Sequence, residues 1–237
     1  MVNILSDKQI YFYIQNEPII DEYFINLLLP ISKVIYVQNN IYYHPKIKIM
    51  PIGIRDCGDV LDSNMHDGFS HNFLYNEQLK TVEKSILCLL CFTLHTGKER
   101  QTVYNIFKDK PFITDLNSMK WNTDPKFGII VDYESFMILH IKVYFLYAHM
   151  VKELTHIVFW ECLYLNTIPI VKLTNTVFDK IYYTFPCFKV NNWNEINEEL
   201  LLKNKKQLQN DILDFNINNP NFNIDHICIQ NIIDKYL

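Results

Sequence analysis

The chain has 237 residues, 49% of them hydrophobic, enough for a sizeable core in one large domain or two small lobes. Its 22 basic and 26 acidic residues are well mixed and leave a net charge of −4, so there is no electrostatic footprint for nucleic acid or for an anionic membrane. No apolar run approaches the roughly 18–20 residues that span a bilayer. The start, Met1-Val-Asn-Ile-Leu-Ser-Asp-Lys8, lacks a basic-then-apolar leader, and the expectation is a soluble intracellular protein.

In chain order, Gln9–Gln15 reads as a strand rich in aromatic and β-branched residues. Asp21 is placed to cap a helix through Tyr23, Phe24, Leu27 and Leu28 that ends near Pro30. Short strands follow at Val34–Val37 and Lys46–Met50, the second closed by Pro51-Ile52-Gly53-Ile54. Strand, helix and strand within some 30 residues is a βαβ-like unit with parallel strands. Residues 55–82 turn polar, with Gly58, Gly68 and several Asn, Asp and His, and are the candidate boundary.

The pattern restarts with the apolar strand Ser85–Leu94, the helix Lys98–Lys108 and a strand at Pro111–Thr114. Residues 115–127 read as loop, Ile129–Val131 as a strand, Tyr133–Ile141 as a helix and Val143–Tyr147 as a strand. An amphipathic helix around His156–Leu165, carrying the single acidic residue Glu161, leads through a tight turn to the strand Ile168–Val171. A helix at Val177–Tyr183 and a strand at Cys187–Val190 come next. A long helix, Asn192–Leu213, has Glu195, Glu198 and Glu199 early and Lys203, Lys205 and Lys206 later, an order that suits the helix dipole. A final amphipathic helix is expected over Asp225–Leu237. Alternating strands and helices in both halves predict α/β architecture with mostly parallel sheets. A break near residue 80 predicts two Rossmann-like lobes, 1–80 and 81–237, the first reduced.

The six cysteines, Cys57, Cys88, Cys91, Cys162, Cys187 and Cys228, are scattered and mostly in apolar surroundings. Cys88 and Cys91 form a C-x-x-C inside a strand-like run, where positions three apart face opposite sides and do not share a metal. Buried free thiols are the expectation, with no structural zinc. No G-x-G-x-x-G, P-loop or Asp-x-Asp pattern occurs, and only five glycines are present. The abundance of Asn, Ile, Lys and Tyr matches AT-rich codons and points to an AT-rich microbe or a large DNA virus.

The segment Thr155-His156-Ile-Val-Phe-Trp160-Glu161-Cys-Leu-Tyr-Leu-Asn-Thr-Ile168-Pro169-Ile-Val171 resembles the donor-binding segment of exostosin-like glycosyltransferases, in particular the short forms of large DNA viruses. That segment reads roughly Asp-Thr-His-Arg-x-Trp-Glu-Ala-Leu-Tyr-x-Gly-x-Ile-Pro-Ile-Val, and the match needs one extra residue between His156 and Trp160. Further pieces in the same order are Gln38-Asn39, His44-Pro45-Lys46, Pro51–Ile54, Thr96 with Glu99-Arg100, Phe178-Asp179-Lys180-Ile181-Tyr182, Phe185-Pro186 and Asn192-Trp193-Asn194-Glu195-Ile196. Together they cover most of residues 34–200.

The resemblance implies two lobes in the GT-B arrangement, with a reduced acceptor-side lobe (1–80) and a nucleotide-sugar-binding lobe (81–237). It implies transfer of a sugar from a nucleotide-diphosphate donor to a glycan or protein acceptor hydroxyl, with no metal or other cofactor, in the host cytoplasm if the chain is viral. Glu161 would accept hydrogen bonds from the donor ribose, a task that suits a carboxylate facing vicinal hydroxyls; the plain alternative is a solvated helix glutamate, although its apolar neighbours favour a partly enclosed place. Arg100 would neutralise diphosphate, with Lys98 a weaker candidate, or be a surface arginine beside a carboxylate. Thr155 and His156 would lie at the diphosphate, Thr155 also capping the helix, and Lys172 would meet the donor from a strand end; the alternatives are a simple cap, a surface histidine and a solvated lysine.

The chain departs from the pattern in three places. Tyr147–Leu154 carries no glycine where a Pro-x-Gly-x-Gly loop is usual, the Arg after His is Ile157, and the Gly before Ile-Pro is replaced by Asn166-Thr167. A catalytic base is unassigned among His44, His66, Asp67 and His71, and His44 also reads as a turn residue before Pro45. A catalytically inactive glycosyltransferase-like binding protein and an unrelated α/β interaction protein therefore stay open beside the transferase.

Overall fold

The structure is a computed structural model that describes residues 11–14, 21–37, 40–49, 82–92, 94, 98–116, 123–124, 128–129, 138–148 and 157–218. The candidate boundary, apart from residue 82, and the expected helix over 225–237 lie outside these residues.

A three-stranded parallel sheet is ordered β1 (Tyr11–Ile14), β2 (Val34–Val37), β3 (Ile47–Ile49). The helix Glu22–Leu28 connects the first two strands, and Asp21 caps it by accepting from the Tyr23 amide at 2.8 Å. Ile25 and Leu28 pack on Ile35, Val37 and Ile47, while Ile49 belongs to the larger core of the second sheet. His44 is a turn residue: its Nδ1 accepts from the Lys46 amide at 3.1 Å and its carbonyl from the Ile47 amide.

The second sheet has five parallel strands in the order β10 (Phe188–Val190), β9 (Ile168–Lys172), β8 (Val143–Tyr147), β4 (Ile86–Leu90), β5 (Ile113–Asp115). Counted in chain order within this sheet and read from β5, that is 2-1-3-4-5, a doubly wound arrangement. The chain steps from β4 to β5 in one direction and from β8 through β9 to β10 in the other, so the winding reverses between β4 and β8. Alternation along β8 assigns the covering helices to opposite faces. Tyr147 meets Phe107 of the helix Lys98–Phe107, whereas Leu146 clusters with Cys162 of the helix Ile157–Tyr164.

Several expectations are refined. A two-stranded antiparallel pair, β6 (Thr123–Asp124) and β7 (Gly128–Ile129), lies where mainly loop was expected. The expected helix over Asn192–Leu213 is two pieces, a 3-10 turn Trp193–Glu195 and a helix Glu198–Asn218. The cause is local: Asn192 and Glu195 form a capping box that closes the short turn, Ile196 is extended, and the Asn197 side chain accepts from the Leu200 amide to start the helix afresh.

The helix Ile157–Tyr164 is not amphipathic. Every residue from Phe159 to Leu165 is buried, so its apolar character around the whole circumference reflects full enclosure. Trp160 is wedged edge-on between Phe159 and Phe185, each 5.1 Å away by ring centroids. At the end of this helix Asn166 has φ 54°, the left-handed conformation a glycine would take most easily. Asn tolerates it better than other residues with a Cβ, and Asn216 fixes it by donating to its Oδ1 at 2.7 Å and to the Leu163 carbonyl at 3.0 Å. The missing glycine is thus replaced in conformation.

A polar bolt closes the N-terminal edge of the five-stranded sheet. Lys84 Nζ donates to the carbonyls of Ile141 and Val143, both at 2.8 Å, to Leu165 at 3.4 Å and to Thr167 Oγ1 at 3.1 Å. The Thr167 hydroxyl is itself directed at the carbonyls of His140 and Val143, and His140 Nε2 lies 3.4 Å from Cys162 Sγ. Burial, reinforced by the Lys84 charge, lowers the His140 pKa from 6.5 to about 3. The unfolded chain therefore binds the extra proton between those values, so the contribution is complete above pH 6.5 and is lost as the pH falls toward 3. Moving from about pH 7.5 to about pH 5 should cost the wild type about 2 kcal/mol of unfolding free energy that His140→Asn does not lose. Urea denaturation of both proteins at the two pH values measures this; equal losses would clear His140 of the effect.

Candidate functional site

In an open parallel sheet ligands bind beyond the carboxyl ends of the strands, beside the point where the winding reverses. Here that edge carries Cys91 and Phe92 after β4, Ala148 after β8, Lys172 at the end of β9, Asp115 at the end of β5 and the first turn of the helix Lys98–Phe107. The loops leaving β4 and β8, residues 93–97 apart from 94 and 149–156, lie outside the described residues, and with them Thr155 and His156.

Arg100 occupies the first turn of the helix that leaves β4, as its sequence position suggests, but it is 8% exposed rather than on the surface. Its guanidinium lies 5.7 Å from the centre of the Phe92 ring. Burial lowers its pKa, and the neighbouring Cys91 acts in the opposite sense. Asp115, also buried, lies close to Cys91 and to Tyr104; burial first, then this carboxylate, pushes the phenol up. Arg100, Cys91, Tyr104 and Asp115 thus form one polar group between the ends of β4 and β5.

Lys172 is not a free solvated lysine. Its Nζ donates to Glu99 Oε1 at 2.7 Å, and the same oxygen accepts from the indole Nε1 of Trp193 at 3.0 Å. One carboxylate oxygen therefore joins the start of a helix, the end of β9 and the turn after β10. The Trp193 ring lies tilted against that of Tyr147, centroids 5.2 Å apart, which ties the group to β8. Beside it, the Asp179 carboxylate receives the Thr174 and Asn175 amides and the Thr174 hydroxyl at 2.8–3.1 Å. These bonds fix the turn after β9, including Asn175 at φ 58°.

Glu161 is 4% exposed in the second turn of the helix Ile157–Tyr164. It is more enclosed than its sequence neighbours suggested and is not a solvated helix glutamate. A carboxylate in such a place is expensive unless it is engaged by polar partners.

The four described cysteines are free, with Cys88, Cys162 and Cys187 buried and Cys91 half-buried. Cys88 and Cys91 pack into different clusters, as alternation along a strand requires. Burial raises the Cys91 thiol to about 12 and Cys187 to about 11, and pushes Cys88 and Cys162 up as well. Thiols held protonated are poor nucleophiles, so these four cysteines are not disposed to attack through sulfur. Among the described residues no group of three His, Cys, Asp or Glu side chains could hold a metal ion, and no helix is long and apolar enough to cross a membrane.

Asp115, Tyr104, Trp193 and the Glu99–Lys172 contact were not singled out as site features from the sequence. Asp115 had a readable signal, a carboxylate closing a short strand at the ligand-binding edge. The meeting of Glu99 with Lys172 and Trp193 joins positions 73 and 94 residues apart and has no sequence signature.

No family model matches the chain, and no curated protein matches it.

Proposed function

We propose that the chain is a glycosyltransferase of the two-lobed GT-B type, using a nucleotide-diphosphate sugar that lies along the carboxyl edge of the five-stranded sheet. The observation that carries this reading is the buried Arg100 in the first turn of the helix that leaves β4, one of the two strands flanking the winding reversal, a cation at the edge where doubly wound sheets take phosphate-bearing ligands. In this reading Arg100 meets the diphosphate, Glu161 accepts the ribose hydroxyls, and Thr155 and His156 complete the phosphate contacts from the loop after β8. Lys172 approaches the donor from the end of β9, and residues 1–80 present the acceptor hydroxyl. No metal is needed, because the cations that neutralise the diphosphate come from the chain.

A second reading, a relative that binds the donor without transferring sugar, is favoured by two observations. Lys172 is already bound by Glu99, and the stretch 147–154 lacks the glycines that let backbone approach phosphate.

A thermal-shift screen against a panel of nucleotide sugars tests both readings. A ligand present at about a hundred times its Kd stabilises the folded form by about 2.7 kcal/mol. For a chain of this size that is a rise of roughly 5–10 °C in Tm. Release of free nucleotide diphosphate from the stabilising donor marks a transferase, and stabilisation without release marks the binding-only form. No shift with any nucleotide sugar would remove both.

A further inference from the structure

Two donors converge on a single oxygen at the carboxyl edge of the sheet, Lys172 Nζ at 2.7 Å and Trp193 Nε1 at 3.0 Å, and that oxygen is Glu99 Oε1. A cation and an indole N–H aimed at one point recognise an anionic oxygen of any origin, including a phosphate oxygen. The indole is held in place, since Trp193 is buried and packs against the Tyr147 ring. The carboxylate that fills the position is more exposed than the indole. The Glu99 side chain is 40% exposed and that of Lys172 35%, so water screens their pairing and the bond is weak for its length.

We propose that Lys172 and Trp193 form an anion-binding position for a phosphate group and that Glu99 is its internal competitor, an autoinhibitory contact displaced when ligand enters. This rests on the reading that the carboxyl edge takes a phosphate-bearing ligand, and adds to it how entry there is regulated. Binding exchanges Glu99 Oε1 for a phosphate oxygen on the same two donors. The released carboxylate goes to solvent and repels the incoming charge, so it sets a threshold affinity that only a multiply charged ligand passes.

The test is isothermal titration of inorganic pyrophosphate into the full chain, as wild type, Glu99→Gln and Lys172→Met. Removing the competing charge should tighten pyrophosphate binding roughly two- to fivefold, the equilibrium equivalent of a screened ion pair. Lys172→Met should weaken it, both alone and combined with Glu99→Gln. Glu99→Ala serves as a second variant, because it removes the carboxylate whatever the amide of Gln does. Unchanged or weaker binding by both Glu99 variants, with melting curves that show them folded, overturns the proposal. Wild type that binds a nucleotide sugar while the Glu99 variants gain nothing sinks the competitor and leaves the donor site standing. A gain toward pyrophosphate with no nucleotide-sugar binding by any of the proteins does the reverse, and no binding by any of them removes both.

Discussion

Lys84→Met should be among the most destabilising single substitutions in the chain, although it removes a charge that burial already disfavours. The methionine keeps the length of the stem but takes the donor away from the carbonyls of Ile141, Val143 and Leu165 and from the Thr167 hydroxyl. Hydrogen bonds from a charged group, and acceptors orphaned inside a protein, are each worth a few kcal/mol, and the net loss should be about 3 kcal/mol. In a chain of this length that lowers Tm by roughly 6–12 °C. The effect has a second signature in pH. Burial lowers the Lys84 pKa from 10.5 to about 8, so between those values the unfolded chain holds the extra proton and wild-type stability rises with pH. Lys84→Met lacks that rise. Urea denaturation at about pH 7.5 and about pH 10 reads both effects, and a loss under 1 kcal/mol with parallel pH profiles would reduce the bolt to an incidental contact.

The same residue shows what a single sequence conceals. Lys84 stands among Val82, Glu83 and Ser85, and nothing local marks it as the pin that gathers the starts of β4, β8 and β9. Its partners lie 57 to 83 residues away, and no periodicity encodes contacts at that range. Strands were legible where side-chain chemistry and burial agree. Val34–Val37 and Val143–Tyr147 were read to the residue, because unbroken apolar runs between turn signals suit strands covered on both faces. The helix Ile157–Tyr164 was legible as a helix, but its burial was not. One glutamate in an apolar segment suggested a polar face, whereas the fold encloses that glutamate as well. The break at Ile196 went unread because Glu198, Glu199 and the lysines after them continue a helical charge pattern without interruption. A capping box one turn earlier outweighs that pattern locally, since it satisfies donors that a continuous helix would leave to the solvent.

Position along the sheet was easier to read than surroundings. Arg100, in the helix that leaves β4, and Lys172, at the end of β9, both lie at the carboxyl edge. Their surroundings differ in a way that no spacing could express: one is buried against an aromatic ring, while the other is shared with a carboxylate and water. In the proposed reading that difference gives them different tasks. A buried guanidinium keeps its geometry and supplies a standing field, whereas a half-exposed lysine in a weak pair can exchange partners as a ligand arrives.

Glu161 decides whether the donor-site reading survives. Its burial changes the variant of choice, because Glu161→Ala would leave a cavity beside Trp160 and Leu163 and confound binding with folding. Glu161→Gln keeps the volume and one carbonyl acceptor but removes the charge that strengthens hydrogen bonds from ribose hydroxyls. If Glu161 accepts those bonds, affinity for the best nucleotide sugar should fall by about 1.5–3 kcal/mol, the worth of hydrogen bonds to a charged group. That is roughly a tenfold to hundredfold rise in Kd. The free nucleoside should lose a similar factor, since it carries the same ribose, while pyrophosphate should bind the variant and the wild type alike. This pattern separates a ribose acceptor from a structural carboxylate: a merely structural role would lower Tm and weaken every ligand together. Titration of nucleotide sugar, nucleoside and pyrophosphate into both proteins, with melting curves beside them, gives the answer. Equal affinities for the ribose-bearing ligands would take Glu161 out of the site and leave the buried Arg100 as the remaining ground for a sugar-nucleotide enzyme.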